Sequence, residues 1–375
     1  HQVEEALRLS LSFSFYLSIL LVTLILSSFS VLLLGIPFLA IVYTYFQHLG
    51  FLPIVLLILS FSDLPTYIRK ILHIMLMSSL LLGVGVIADA YIGMNNIFAF
   101  EGAEHMTRLG VQGIRRGDFT IGSTNVFVTL SIGLVSTYLL VSQFRYGIFK
   151  ALFGLVLIVV AMYASGSRAS LILGAVLAVI IVLKFLKKRR YFLTTGFILT
   201  MVVGGGAIAL QLGILNFNAD KIERFGSLSS EETEGNLGRF RSWGDGLVLM
   251  SDTNNIYGSG VGTTNPKVGE LFGSVLSLDD GFESSFFSRY YEGGIVGLIL
   301  FLLPLFCCLV AYKNQLFDVL NVWMVLLYFN FFIAPTAQGY PSNLIIYFAL
   351  SICIFFKGAQ DRVRRKDIVL HRSKF

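Results

Sequence analysis

Apolar stretches follow one another along almost the whole chain, most of them long enough to cross a bilayer and one, Phe51 to Ser62, short. The runs are Leu9 to Ser27, Val31 to Phe46, Phe51 to Ser62, Lys70 to Asp89, Asn125 to Ser142, Phe149 to Ser165, Ala169 to Leu186, Tyr191 to Leu212, Gly293 to Tyr312, Leu316 to Phe332 and Leu344 to Phe356. A hydrocarbon core of roughly 30 Å needs about 20 apolar residues per helix, and the backbone inside it must satisfy its own hydrogen bonds. The alternating pattern of a membrane barrel is absent. The chain therefore reads as an all-α, polytopic bundle of about 11–12 transmembrane helices, forming a single membrane domain over residues 1–375.

Composition agrees: 55% of residues are hydrophobic and 13% charged, a balance that excludes a water-soluble domain. Cys307, Cys308 and Cys353 all lie in apolar runs and read as small core residues rather than disulfides or metal ligands. The net charge of +6 collects beside the apolar runs, which makes it a topology signal rather than a nucleic-acid surface. Arg69 and Lys70, Arg145 and Lys150, Lys184 to Arg190, Lys313, and Arg362 to Lys366 fall on one side if the helices alternate. That side is expected to be the cytoplasm. An odd helix number then puts His1 outside, which fits a missing first helix as well as a true external terminus.

The opposite side receives Tyr91 to Thr124, the Gly166 to Arg168 turn, Ala334 to Ser342 and the loop 213–292, the largest. Long loops in compact membrane proteins are usually working parts. Roughly half of the chain's 22 acidic residues lie in this one. It ends in an amphipathic stretch, FESSFFSRYYEGG, that leads into the next apolar run.

Cations on this face run against the positive-inside bias, so each asks for a reason. Arg115 and Arg116 in GIRRGDFTIGSTN, Arg168 in ASGSRASL, and Arg239 and Arg241 in NLGRFRSW are the leading cases. A single interfacial Arg is equally well read as snorkelling to headgroups. Several on one face match phosphate oxygens through their planar forks, and a pyrophosphate at the bilayer surface is the fitting ligand. Gly166 and Ser167, and Gly122 and Ser123, would let backbone approach such an anion.

For general-base work the outward candidates are Glu283, Asp279, Asp280, Glu292, Asp118, Asp245 and His105, with Glu283 preferred because it opens the stretch that enters the membrane. The other reading of each is a solvated loop carboxylate. Asp279 and Asp280 lack a second ligand cluster, so no metal is expected. Phe286, Phe287, Tyr290, Tyr291 and Trp243 read either as a sugar-stacking surface or as the interfacial aromatic belt.

Four blocks carry a family resemblance: RRGDFTIGSTNVF from Arg115 to Phe127, SGSRASL from Ser165 to Leu171, GRFRSWGDGLVLM followed by YGSGVGTT, and FESSFFSRYYEGGIVGLILF from Phe282 to Phe301. In them the chain resembles the O-antigen ligase and O-antigen polymerase (Wzy) superfamily of bacterial membrane glycosyltransferases, and most resembles the polymerase branch. The lipid-A-core ligases carry His-Asn where this chain has Glu283 and Ser284.

The resemblance implies transfer between undecaprenyl-pyrophosphate-linked oligosaccharides at the outer face of a bacterial cytoplasmic membrane. It is inverting and needs neither metal nor cofactor. Arg116, Arg168 and Arg239 would hold the donor pyrophosphate, Glu283 would deprotonate the acceptor hydroxyl, and Arg115, Arg241, Arg289 and Tyr291 would assist. Membrane lipids, a chain-length regulator and a flippase are the implied partners, with no nucleic acid. An O-antigen ligase or protein O-oligosaccharyltransferase is the alternative. A polysaccharide flippase is a second, disfavoured because the charges gather at the outer interface rather than at mid-membrane.

Overall fold

The computed structural model describes residues 64–92, 126–144, 146–187, 256, 258, 284–312 and 318–333. Six helices lie there: α1 (Leu64–Ile92), α2 (Val126–Phe144), α3 (Ile148–Ala164), α4 (Arg168–Leu186), α5 (Ser285–Ala311) and α6 (Val319–Ile333). No strand occurs among the described residues. Each helix overlaps an expected span. Leu9 to Ser27, Val31 to Phe46, Phe51 to Ser62, Tyr191 to Leu212 and Leu344 to Phe356 lie outside the described residues.

Among the described residues, four helices are long and apolar enough to cross a membrane: Ile68–Ala90, Val126–Phe144, Ala169–Leu186 and Ser285–Val310. At 29 residues and about 1.5 Å per residue, α1 outreaches the hydrocarbon, so Arg69 and Lys70 stand exposed in its second turn, where polar headgroups would meet them.

The described residues fall into two compact units. The first contains α1 to α4 and residues 319–330 of α6. Its centre is α2, with 14 of 19 residues buried. Enclosure by protein rather than lipid lets α2 carry Ser131, Ser136 and Thr137 in its interior, where each must find a partner or bear the cost of burial. Thr137 Oγ1 donates back to the Gly133 carbonyl at 2.8 Å. Ser131 Oγ donates to the Val128 carbonyl and accepts the indole N–H of Trp323 from α6 at 2.9 Å.

Against α2, α1 packs tightly where the facing residues are small. A methyl added at Gly133 would meet the Ser79 Cβ at 2.5 Å. Close backbone contact of this kind replaces the hydrophobic drive that lipid removes. The outer surfaces of α1 and α4 present Ile74, Met77, Leu81, Val84, Val176 and Val179, the apolar faces expected where lipid is the solvent.

Strict alternation of α1 to α4 gives this unit two chemically different ends. Arg69, Lys70, Lys150, Lys184 and Lys187 gather at one end, where α2 stops and α3 begins. At the other end lie the C-terminus of α1, the N-terminus of α2 and the turn joining α3 to α4.

The second unit holds α5 to Val310, the turn residues Ile256 and Gly258, and Phe331–Ile333. The amphipathic stretch is helical from Ser285, and the helix breaks at Gly294 (φ 60°, ψ −157°). A residue with a side chain essentially never adopts that conformation. The apolar continuation runs from Ile295, close to the expected start at Gly293. Phe286 packs edge-on against Phe301 and Phe332, both at 5.4 Å, and Phe301 lies 6.0 Å from Phe331. This aromatic cluster fixes the short arm against the membrane-spanning half.

Candidate functional site

At the end of the first unit remote from its lysines, three serines knit a turn. Ser165 caps α3, its Oγ donating to the Met162 carbonyl at 2.7 Å and accepting the Ser167 N–H at 3.2 Å. Gly166 turns the chain with φ 67°. Ser167 is the N-cap of α4, its Oγ accepting the Ser170 N–H at 3.3 Å and the Ser170 hydroxyl at 2.9 Å. The Ser170 Oγ in turn accepts the N–H of Phe127, in the first turn of α2, at 3.2 Å.

This relay brings the N-termini of α2 and α4 within one side chain of each other. Each carries about half a positive charge from its aligned peptides, so their junction favours an anion. Arg168 opens α4, where a cation opposes the helix dipole, a placement that an anionic ligand would compensate. Its side chain lies outside the described part of the structure.

Asp89, 1% exposed, lies in the last turn of α1 at this same end. It escaped notice in the sequence because it closes an apolar run. A carboxylate in a membrane span was the available signal.

The second unit brings together another set. Ile256 O accepts the Val296 N–H at 3.4 Å, capping the half of α5 that follows the break. Gly258 (φ 71°) lies so close that a methyl there would meet the Tyr291 carbonyl at 2.5 Å. Tyr291 is nearly buried, at 9% exposure. The Arg289 guanidinium pairs with the Glu292 carboxylate at 3.5 Å and stands 6.0 Å from the centre of the Phe301 ring. Arg289 and Glu292, expected respectively as a phosphate contact and a candidate base, are thus a coupled pair beside the helix break.

Ser284 precedes the arm and is fully buried, and its Oγ has no hydrogen-bond partner among the described residues. A buried hydroxyl left in that condition costs about 1–3 kcal/mol. Nothing in the residue pattern marks it beyond its place beside Glu283. Glu283, Arg115, Arg116, Arg239 and Arg241 lie outside the described residues, as do Asp118, Asp245, Asp279, Asp280, His105 and Trp243.

The packed apolar helices of the first unit, cationic at one end and bringing two helix N-termini together at the other, and the apolar length of α5 mark a multi-pass helical membrane protein. Residues 153–302 match the family model described as O-antigen ligase, which supports membership of the O-antigen ligase and polymerase superfamily. The match begins within α3, takes in α4, the Ser167–Arg168 turn, the Arg239 and Arg241 block and the broken helix through Leu302, and leaves Arg115 and Arg116 outside. No curated protein matches the chain.

Proposed function

We propose that the protein is a membrane glycosyltransferase that polymerises lipid-pyrophosphate-linked oligosaccharide repeat units at the non-cytoplasmic face of a bacterial inner membrane. The observation that carries this reading is the junction of the α2 and α4 N-termini through Phe127, Ser170 and Ser167, with Arg168 heading α4. Such a junction is suited to a diphosphate leaving group: the donor is already activated, so catalysis needs stabilisation of departing negative charge and positioning of the acceptor. The lysine-rich end of the first unit lies at the cytoplasmic surface by the positive-inside rule, which turns the Arg168 end outward.

In this mechanism Arg116, Arg168 and Arg239 hold the pyrophosphate, assisted by Arg115 and Arg241. Glu283 takes the proton from the acceptor hydroxyl as its oxygen attacks the anomeric carbon. The bond from that carbon to the lipid pyrophosphate breaks with inversion, and the lipid pyrophosphate leaves. Supplying purified protein with undecaprenyl-pyrophosphate-linked repeat units should yield a ladder of lengthening products, and Glu283→Gln should abolish it. A ladder retained in that variant removes Glu283 from the mechanism, and no ladder from the wild type removes the polymerase.

The family description favours a second reading, ligation of the same donor to a different acceptor. Lipid A-core or acceptor protein added to the same reaction separates the two: a single glycan transferred to it, without a ladder, is the ligase outcome.

A further inference from the structure

We infer that the Ser284 hydroxyl, at the N-terminus of α5, is a binding contact for an oxyanion of the phosphate class. Two independent features of the structure point there. The nine residues Ser285–Gly293 form a helical arm ahead of the break at Gly294, and the head of such an arm carries partial positive charge. Ser284 stands at that head, 0% exposed, with an Oγ that neither gives nor receives a hydrogen bond among the described residues.

A serine at this position ordinarily accepts a first-turn N–H, as Ser167 does at the head of α4. Ser284 does not. Its carbonyl is engaged in the usual way, accepting the Ser288 N–H and the Ser288 hydroxyl, both at 3.1 Å. The carbonyl and the Ser288 hydroxyl are therefore engaged with each other, while the Ser284 hydroxyl has no hydrogen-bond partner among the described residues. Thr129 Oγ1 and Ser136 Oγ are likewise buried without a hydrogen-bond partner among the described residues, but both lie inside α2; Ser284 differs in standing at a helix head, where a ligand supplied from outside the chain fits as the cause. A hydroxyl can donate to a phosphate oxygen, the helix end adds a favourable field, and burial removes the competing water.

The source of the anion rests on the transfer reading above, which supplies a lipid pyrophosphate. An anionic headgroup offers the same chemistry, and the test distinguishes them. Full-length wild type, Ser284→Ala and Ser284→Thr would be placed in nanodiscs of phosphatidylcholine alone or with phosphatidylglycerol, and thermal unfolding followed with and without inorganic pyrophosphate.

Without ligand, Ser284→Ala should unfold at or above the wild-type temperature, because it deletes a hydroxyl that bonds to nothing. With ligand it should bind about ten- to a hundredfold more weakly, with Ser284→Thr recovering most of the loss. Stabilisation by pyrophosphate in neutral discs assigns the pyrophosphate; stabilisation by phosphatidylglycerol alone assigns the headgroup.

An unliganded Ser284→Ala that unfolds earlier than wild type, affinity equal to wild type, or no response to either anion overturns the site. Ladder formation separates the two ideas. Wild type that makes no ladder while Ser284→Ala loses its anion response sinks the transfer reading alone. A ladder unchanged by Ser284→Ala, with undiminished anion binding, sinks the site alone.

Discussion

The Phe127 amide donates to the Ser170 hydroxyl at 3.2 Å, joining the first turns of two helices whose bonding residues stand 43 positions apart. One serine thereby serves as a cap for a helix to which it does not belong, while its hydroxyl hydrogen goes to Ser167 within its own helix. Ser170→Ala removes both bonds and leaves the Phe127 N–H buried without them. A loss of about 1–2 kcal/mol is expected, in the range of helix-cap deletions. Thermal unfolding in detergent would report it as a lowered midpoint. Transfer activity should fall further than that loss explains, because the junction sets the relative placement of the two N-termini.

Arg168 should behave in the opposite way. A cation in the first turn of a helix is disfavoured by about 0.3–1 kcal/mol, so Arg168→Gln should leave stability unchanged or slightly raised. Product ladders should nonetheless disappear, and Arg168→Lys should restore only part of the activity because an ammonium lacks the bidentate fork. Loss of stability together with activity would mean that the residue serves the fold.

Gly133 tests the packing of α1 on α2. A branched side chain there must occupy space already filled by the Ser79 Cβ and by Ile158 Cδ1, which an added methyl would meet at 2.5 and 2.7 Å. Gly133→Val should cost about 1–3 kcal/mol and reduce the yield of folded protein. Pairing it with Ser79→Gly should recover part of the loss, measured as the interaction energy of a double-mutant cycle.

The described helices were largely legible in the sequence because lipid permits few solutions. A span must be continuous, apolar and internally bonded, so Ala169 to Leu186 could be placed from hydropathy alone and α4 begins one residue earlier, at Arg168. The Gly166 turn was legible for the same reason. Less visible was the course of α5: its amphipathic lead-in and apolar run were read separately, and nothing in the spelling EGGIVG says that helix continues on both sides of Gly294.

Tertiary relations left still fainter traces. The bond from Phe127 to Ser170 depends on how two helices dock, and the silence of Ser284 depends on what fails to reach it. The ordering of Ser167 ahead of Arg168 at a helix head, by contrast, could be anticipated from the GSR turn between two spans.

The break in α5 gives the most demanding prediction, since two glycines on separate segments support it. Gly294 has φ 60° and Gly258 φ 71°, and each would be strained by any side chain. Gly258 has the added difficulty that its methyl would press on the Tyr291 carbonyl at 2.5 Å, backbone that cannot swing aside like a flexible side chain. Gly258→Ala must therefore push the 256–258 turn away from α5, lengthening the 3.4 Å bond from Val296 N–H to Ile256 O that caps the membrane-spanning half. Left-handed backbone strain alone contributes about 1–2 kcal/mol, and the lost cap adds to it. Hydrogen exchange should show faster exchange confined to Val296 and its neighbours in Gly258→Ala. Gly294→Ala should instead loosen the arm from Ser285 and weaken the Arg289–Glu292 pair beside the break. Unchanged exchange at Val296 in Gly258→Ala would show that the turn does not hold the helix break.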